Sequence, residues 1–461
     1  MGPAIPHVAK NKQNLVVLVM GKKKQEAARA AISMDTELAK ARKLFENIPD
    51  PRAGNIVYRL SDIFMSGLAM FSLKYDSLLN FDQQTAMERA NLKAVYGVEE
   101  VCSDTHLRRI LDEQRPDPLR DFFLDRFKDF ESTGLLSEYE YKIGMAKYLI
   151  VSADGVQHFS SKKIKCDCCL EKKHRDGSTT YHHNMLCAAL VHPARREVFV
   201  MDSEAIQRQD GAHKNDCELN AAKRLFTRMG SEYRDFSNAC PFLIVEDALY
   251  ANVPHLRHLQ NQGYSYIINV KPDSHKTLFK HFESRRQRKQ TKIYTMAQDG
   301  VQHRFEWIND VPLNNSDGQF RVNYLSYEQT DAKGKKTIFS WVTNINLRRN
   351  RVWAVMKAGR SRWKIENETF NTLKNLGYQF EHNYGHGEDH LSVTLAHLML
   401  MAFNIDQFVQ ACSKLFQEAQ KQFRTKVRLW QAIKAVFQTI RCTSMAFIYR
   451  YIAGLNEVRL I

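Results

Sequence analysis

Two apolar runs in this chain each end in an aspartate. In KYLIVSADGVQHF (147–159) the acid is Asp154, and in PFLIVEDALYAN (241–252) it is Asp247. Short runs rich in Ile, Val and Leu, bounded by turn formers, read as buried strands. Each carboxylate is therefore expected at the tip of a strand. Two such strands side by side would bring like charges to one sheet edge, where they repel unless a cation lies between them.

The flanking segments give these strands an order. KYLIVSAD, YHHNMLCAALVH and REVFVMDSEAI read as three consecutive strands, followed by a helix over 215–229. FLIVED is a fourth strand, then comes a helix over 251–262, and YSYIINVKP is a fifth. Three strands, helix, strand, helix, strand is the order of an RNase H-like domain, a mixed α/β sheet with helices on its faces. In such a sheet the first and fourth strands are neighbours. The expected organisation is an N-terminal helical region (1–140) that binds DNA and dimerises. The first part of the core (141–275) follows, then a basic and β-rich insertion (276–350). A catalytic helix with core completion (351–411) and a C-terminal helical tail (412–461) end the chain. The apolar helix 390–411 reads as core.

Hard oxygen donors at a strand edge suit Mg²⁺, and a third acid from a helix would complete a two-metal site. The segment RSRWKIENETFNTLKNLGYQFEHNYGHG (360–387) offers Glu366 and Glu368. At helical spacing Arg362, Glu366 and Phe370 share one stripe, whereas Glu368 falls roughly 200° away. Glu366 is the expected third ligand, with Arg362 as a clamp for phosphate or carboxylate.

Charge points to the partner. The 461 residues carry 67 Lys+Arg against 51 Asp+Glu, a net charge of +16. A surplus of this size favours a polyanion, because cation–phosphate contacts release condensed counterions. Arg285 and Arg286, in a basic run, and Arg348 and Arg349, in NLRRNR, are the candidate backbone contacts. The nine cysteines are odd in number and scattered, which reads as reduced thiols in a cytoplasmic protein. No apolar run reaches the length of a membrane span, and no membrane partner is expected. Cys166 and Cys169 stand at the CxxC spacing of a zinc knuckle, with His174 and His182 as candidate completing ligands.

These residues carry a resemblance. MSGLAMFSLKYDSLLNFD (65–82), DTHLRRILDE (104–113), HFSSKKIKC (158–166), KNDCELNAAKRL (214–225), VEDALYAN (245–252) and WKIENETFNTLKNLGYQFEHNYGHG (363–387) resemble the DDE transposases of bacterial insertion sequences. The likeness is to the group whose RNase H-like core is interrupted by a β-rich insertion. It implies Asp154, Asp247 and Glu366 as the ligands of two Mg²⁺ ions, with Mn²⁺ as a substitute. It further implies cleavage at the inverted repeats of the element, transfer of the 3′-hydroxyl into target DNA, and a homodimer on DNA at the nucleoid. Two positions depart from the wider family. Gly359 stands where Tyr is usual, and Leu373 where Lys is usual, with Lys374 one step on as a displaced DNA contact. Two other classes fit the same chemistry less closely. One is a structure-selective nuclease, and the other is a domesticated DNA-binding protein without chemistry.

Overall fold

The computed structural model describes residues 23–52, 54, 56–208, 215–315 and 317–455. The N-terminal helical region expected over 1–140 includes residues 1–22, which lie outside the described residues. The chain forms two compact units. One takes the described residues up to Glu138 together with those from Leu373 onward, and the other is Tyr139–Thr372.

The first unit is helical. Its centre is the helix Leu391–Cys412, apolar on every face and buried along its length. By length and composition this helix is sufficient to cross a membrane, yet the protein itself covers it, as an all-round apolar core helix requires. The shorter helix Asp104–Asp112 starts from a Ser103 cap and buries Leu107, Ile110 and Leu111. Its arginines pair locally, Arg108 with Asp104 at 3.1 Å and Arg109 with Glu113 at 3.2 Å.

The last residue of that short helix serves the long one. A helix N-terminus leaves its first N–H groups without partners. Asp112 accepts from the backbone N–H of Glu388 at 2.8 Å, Asp389 at 3.1 Å, and His390 and Leu391 at 2.9 Å each. Burial alone would raise this carboxyl, but the four donors outweigh it and hold it below the usual carboxylate range. A depressed folded-state pKa contributes stability above the unfolded value and loses it as the pH falls through the folded one. Asp112→Ala is therefore expected to lower the unfolding free energy by about 2–3 kcal/mol at neutral pH. Urea titrations of both proteins should show that difference shrinking below about pH 4. A difference independent of pH would contradict the capping role.

Among the described residues, the second unit is built on an eleven-stranded mixed sheet. The strands are β1 (Glu140–Ile143), β2 (Ala146–Ser161), β3 (Leu170–Lys173), β4 (Thr179–Leu190), β5 (Phe199–Ile206), β6 (Phe242–Glu246), β7 (Ser265–Asn269), β8 (Lys292–Gln298), β9 (Val301–Pro312), β10 (Arg321–Thr330) and β11 (Lys336–Thr343). β2, β4 and β5 run antiparallel, and β6 and β7 add to β2 in parallel, giving the spatial order β5-β4-β2-β6-β7. Central strand β6 is buried at every residue, as a parallel strand covered on both faces must be. Buried Asp202 and Glu204 of β5 look out of place until the helix Glu218–Glu232 is added. Its Arg228 meets Asp202 at 2.7 Å and Glu204 at 2.8 Å, and its Arg224 meets Glu204 at 2.7 Å.

Three features differ from the sequence reading. β2 does not stop at Asp154 but runs on to Ser161, because its antiparallel ladder with β4 continues after its parallel ladder with β6 has ended. The β-rich insertion, expected only as a block over 276–350, continues the core sheet, since β11 pairs antiparallel with β7 through Trp341↔Asn269 and Thr343↔Ile267. Its first strand, β8, is a mostly exposed edge strand, so no hydrophobic alternation marks it within the basic run. The catalytic helix expected within 351–411 is broken. Val352–Arg360 is α-helical, and Ser361 then turns its hydroxyl back onto the Ala358 carbonyl at 2.6 Å. Ile365–Phe370 forms a π-helical turn, a deviation that often marks functional positions.

Candidate active site

The parallel ladder of β2 and β6 sets the geometry. Its last register pair is Ser152↔Val245. Asp154 and Asp247 each lie two residues further along, so both stand past the end of the ladder at matching heights on strands about 4.8 Å apart. The two aspartates thus meet at one sheet edge, and their charges interact.

The π-helical turn brings in the third acid. Ser152 Oγ donates to the Arg362 carbonyl at 3.0 Å, tying the start of this turn to β2. Arg362 Nη1 then bridges two carboxylates, Glu366 Oε1 at 2.5 Å and Asp154 Oδ2 at 3.3 Å. Arg362 is 9% exposed and Glu366 45%, so the site opens to solvent on the Glu366 side. Burial pushes the Asp154 carboxyl up to about 7; Arg362 opposes the rise, while Glu366 and Asp247 add to it. Three acids with one arginine leave a surplus of negative charge held by hard oxygen donors, the donor set that suits a divalent cation.

A fourth carboxylate, absent from the sequence reading, borders the cluster. Glu218, in the first turn of Glu218–Glu232, accepts from the Tyr250 hydroxyl at 3.1 Å. Burial raises its carboxyl above the ordinary range; the Tyr250 bond works against this, and the Asp247 charge adds to it. Its Oε1 lies 2.5 Å from where a Cβ on Gly155 would sit, so the residue after Asp154 must be small for Glu218 to approach. In sequence, an acid in the first helical turn reads only as a partner of the helix dipole.

Gly359 lies on the inner side of Val352–Arg360. A Cβ there would come within 2.7 Å of Trp341 Nε1 and 3.0 Å of an Ile267 methyl. The space a tyrosine would need is filled by an indole from β11. Leu373 is fully buried, which no lysine at that position would tolerate. Lys374 falls in the helical unit and pairs with Glu381 at 2.6 Å.

The four insertion arginines lie on the surface. Arg285 bonds Gln290 at 2.7 Å, Arg286 lies 3.5 Å from Glu283 and from Glu306, and Arg349 covers the Tyr294 ring at 4.7 Å. A cleft of about 490 Å³ in the same unit is lined by aromatic and cationic side chains, among them Tyr141, Trp353, Lys357 and Arg360.

Of the candidate zinc ligands, Cys166 and Cys169 come together, with sulfurs 3.8 Å apart. His174 instead bonds the Thr180 hydroxyl at 2.7 Å. The histidine facing the two thiols is His183, not His182. Successive residues of β4 point to opposite faces of the sheet, so only one of this histidine pair can turn that way.

Residues 210–405 match the family model described as a transposase DDE domain. The match takes in Asp247, Arg362 and Glu366, while Asp154 precedes it and joins them through the β2–β6 register. No curated protein matches the chain.

Proposed function

We propose, for a chain that carries a transposase DDE domain over residues 210–405, that it cleaves DNA at the ends of a mobile element. It then joins the freed 3′-hydroxyl to target DNA. The observation that carries this reading is the meeting of Asp154, Asp247, Arg362 and Glu366 at one sheet edge. The strand order β5-β4-β2-β6-β7 supports an RNase H-like core extended by the insertion. The three acids would hold Mg²⁺, or Mn²⁺ in its place. Bound there, the ions supply an activated water or 3′-hydroxyl and stabilise the leaving oxygen.

The chain's own groups do the positioning. Arg362 carries positive charge between Asp154 and Glu366, orients both carboxylates through Nη1, and would offer its remaining donors to a backbone phosphate. Ser152 keeps the turn in register with β2. Glu218, held by Tyr250, adds negative charge beside Asp247. Arg285, Arg286, Arg348 and Arg349 on the insertion would follow the phosphate backbone of end and target DNA. The cleft with Trp353, Lys357 and Arg360 combines cations with aromatic faces, the pairing that suits an unpaired strand. A homodimer would bring two element ends together.

The test uses end-labelled element DNA, both uncut and pre-cut, and target plasmid with Mg²⁺, comparing wild type with Asp154→Ala. Joined products from wild type alone support the proposal. Cutting without joining would point instead to a structure-selective nuclease. DNA binding with no metal-dependent reaction would point to a domesticated binding protein.

A further inference from the structure

A cluster of two thiols and an imidazole lies in the arm that β2 and β4 extend beyond the acidic cluster. Cys166 and Cys169 lie in the segment 162–169 that leads from β2 to β3, and His183 lies on β4 opposite Phe159 of β2. The Cys169 N–H donates to the Cys166 carbonyl at 3.2 Å, closing a turn that aims both sulfurs the same way. Cys166 Sγ is 3.5 Å and Cys169 Sγ 3.4 Å from His183 Nε2, and the sulfurs are 3.8 Å apart.

These separations can be compared with a defined geometry. For Zn–S near 2.3 Å and Zn–N near 2.0–2.1 Å at tetrahedral angles, the ligand atoms should stand about 3.8 Å apart for S···S and about 3.5 Å apart for S···N. All three observed distances agree within about 0.1 Å. A disulfide would need sulfurs about 2.05 Å apart, and the 3.8 Å separation lies far beyond that. Cys169 and His183 are buried while Cys166 is partly exposed, so the donors are partly withdrawn from water and share one focus.

We propose that Cys166, Cys169 and His183 bind a structural Zn²⁺, with one position of the tetrahedron left to a further donor or a water. The ion would staple the lysine-rich segment SKKIKC to β4. That segment has few apolar side chains of its own, since Ile164 is exposed, and a metal site can supply order that such a stretch cannot gain by burial. Thiolate and imidazole select zinc over Mg²⁺, which makes this centre chemically distinct from the acidic cluster.

The test is the metal content of the full chain, purified after expression with zinc and analysed in Mg²⁺-free buffer. About one Zn²⁺ per chain is expected in wild type, falling at least about tenfold in Cys166→Ser, Cys169→Ser and His183→Ala. His182→Ala and Cys168→Ser should retain it. Exchange into Co²⁺ separates ligand loss from misfolding. Thiolate-to-cobalt charge-transfer absorption should appear in wild type and in both controls, and be absent from Cys169→Ser preparations whose circular dichroism remains native. The proposal is overturned by metal-free folded wild type, by a Cys166–Cys169 disulfide, or by zinc retained in Cys169→Ser and His183→Ala. None of these results depends on DNA joining, so failure here leaves the acidic site untouched.

Discussion

Glu366→Gln is expected to abolish strand joining, by about 10³-fold or more, without changing the stability of the protein. The argument rests on where the charge lies. Glu366 is the most exposed acid of the Asp154–Arg362–Glu366 group, so neutralising it removes no buried packing. What it removes is one of the three proposed metal-binding carboxylates and a partner of Arg362. Loss of one preorganised electrostatic group at a reacting centre typically costs 10²–10³-fold, and loss of a metal ligand adds to that. Glu368→Gln is the matched control, two residues along the same turn. Single-turnover joining in Mg²⁺, read beside thermal melts of each variant, gives the result. Joining within tenfold of wild type in Glu366→Gln, or an equal loss in Glu368→Gln, would remove Glu366 from the site.

The second large effect concerns packing. Restoring the residue usual in the wider family, Gly359→Tyr, should cost the core of the β-sheet unit about 3 kcal/mol or more. Overfilling a packed interior forces off-rotamer side chains and backbone shifts even for added methylenes. Here the first added carbon already meets Trp341 at 2.7 Å, on a strand paired with β7. Gly359→Ala should fall between wild type and the tyrosine variant, because it adds only that first carbon. Urea midpoints for the three proteins would show the graded loss. A Gly359→Tyr protein as stable as wild type would mean that the indole moves aside freely, and that the departure from the family pattern has no packing cause.

Much of this was legible before any coordinates. The strand end before Asp247, the order of the main strands and helices and the Arg362–Glu366 spacing could be read from local patterns. They led to the transposase resemblance that the family match over 210–405 supports. Local patterns failed where neighbours come from far away. Edge strand β8 has no hydrophobic period, because water covers most of it. The break after Arg360 depends on a serine hydroxyl returning to a carbonyl, which composition does not announce. His183 rather than His182 faces the thiols because of the strand's phase relative to the sheet, and adjacent histidines do not reveal that phase.

The sequence alone determined that the runs leading to Asp154 and Asp247 extend and that the segments 215–229 and 251–262 coil, because those properties depend on residues a few positions apart. Only the tertiary structure decided that Asp154 and Asp247 stand at matching heights and that Glu218 presses against Gly155. It also decided that an indole from β11 takes the space a tyrosine would need. Each of these depends on the pairing register between distant strands, and that register follows from the summed packing of the whole sheet.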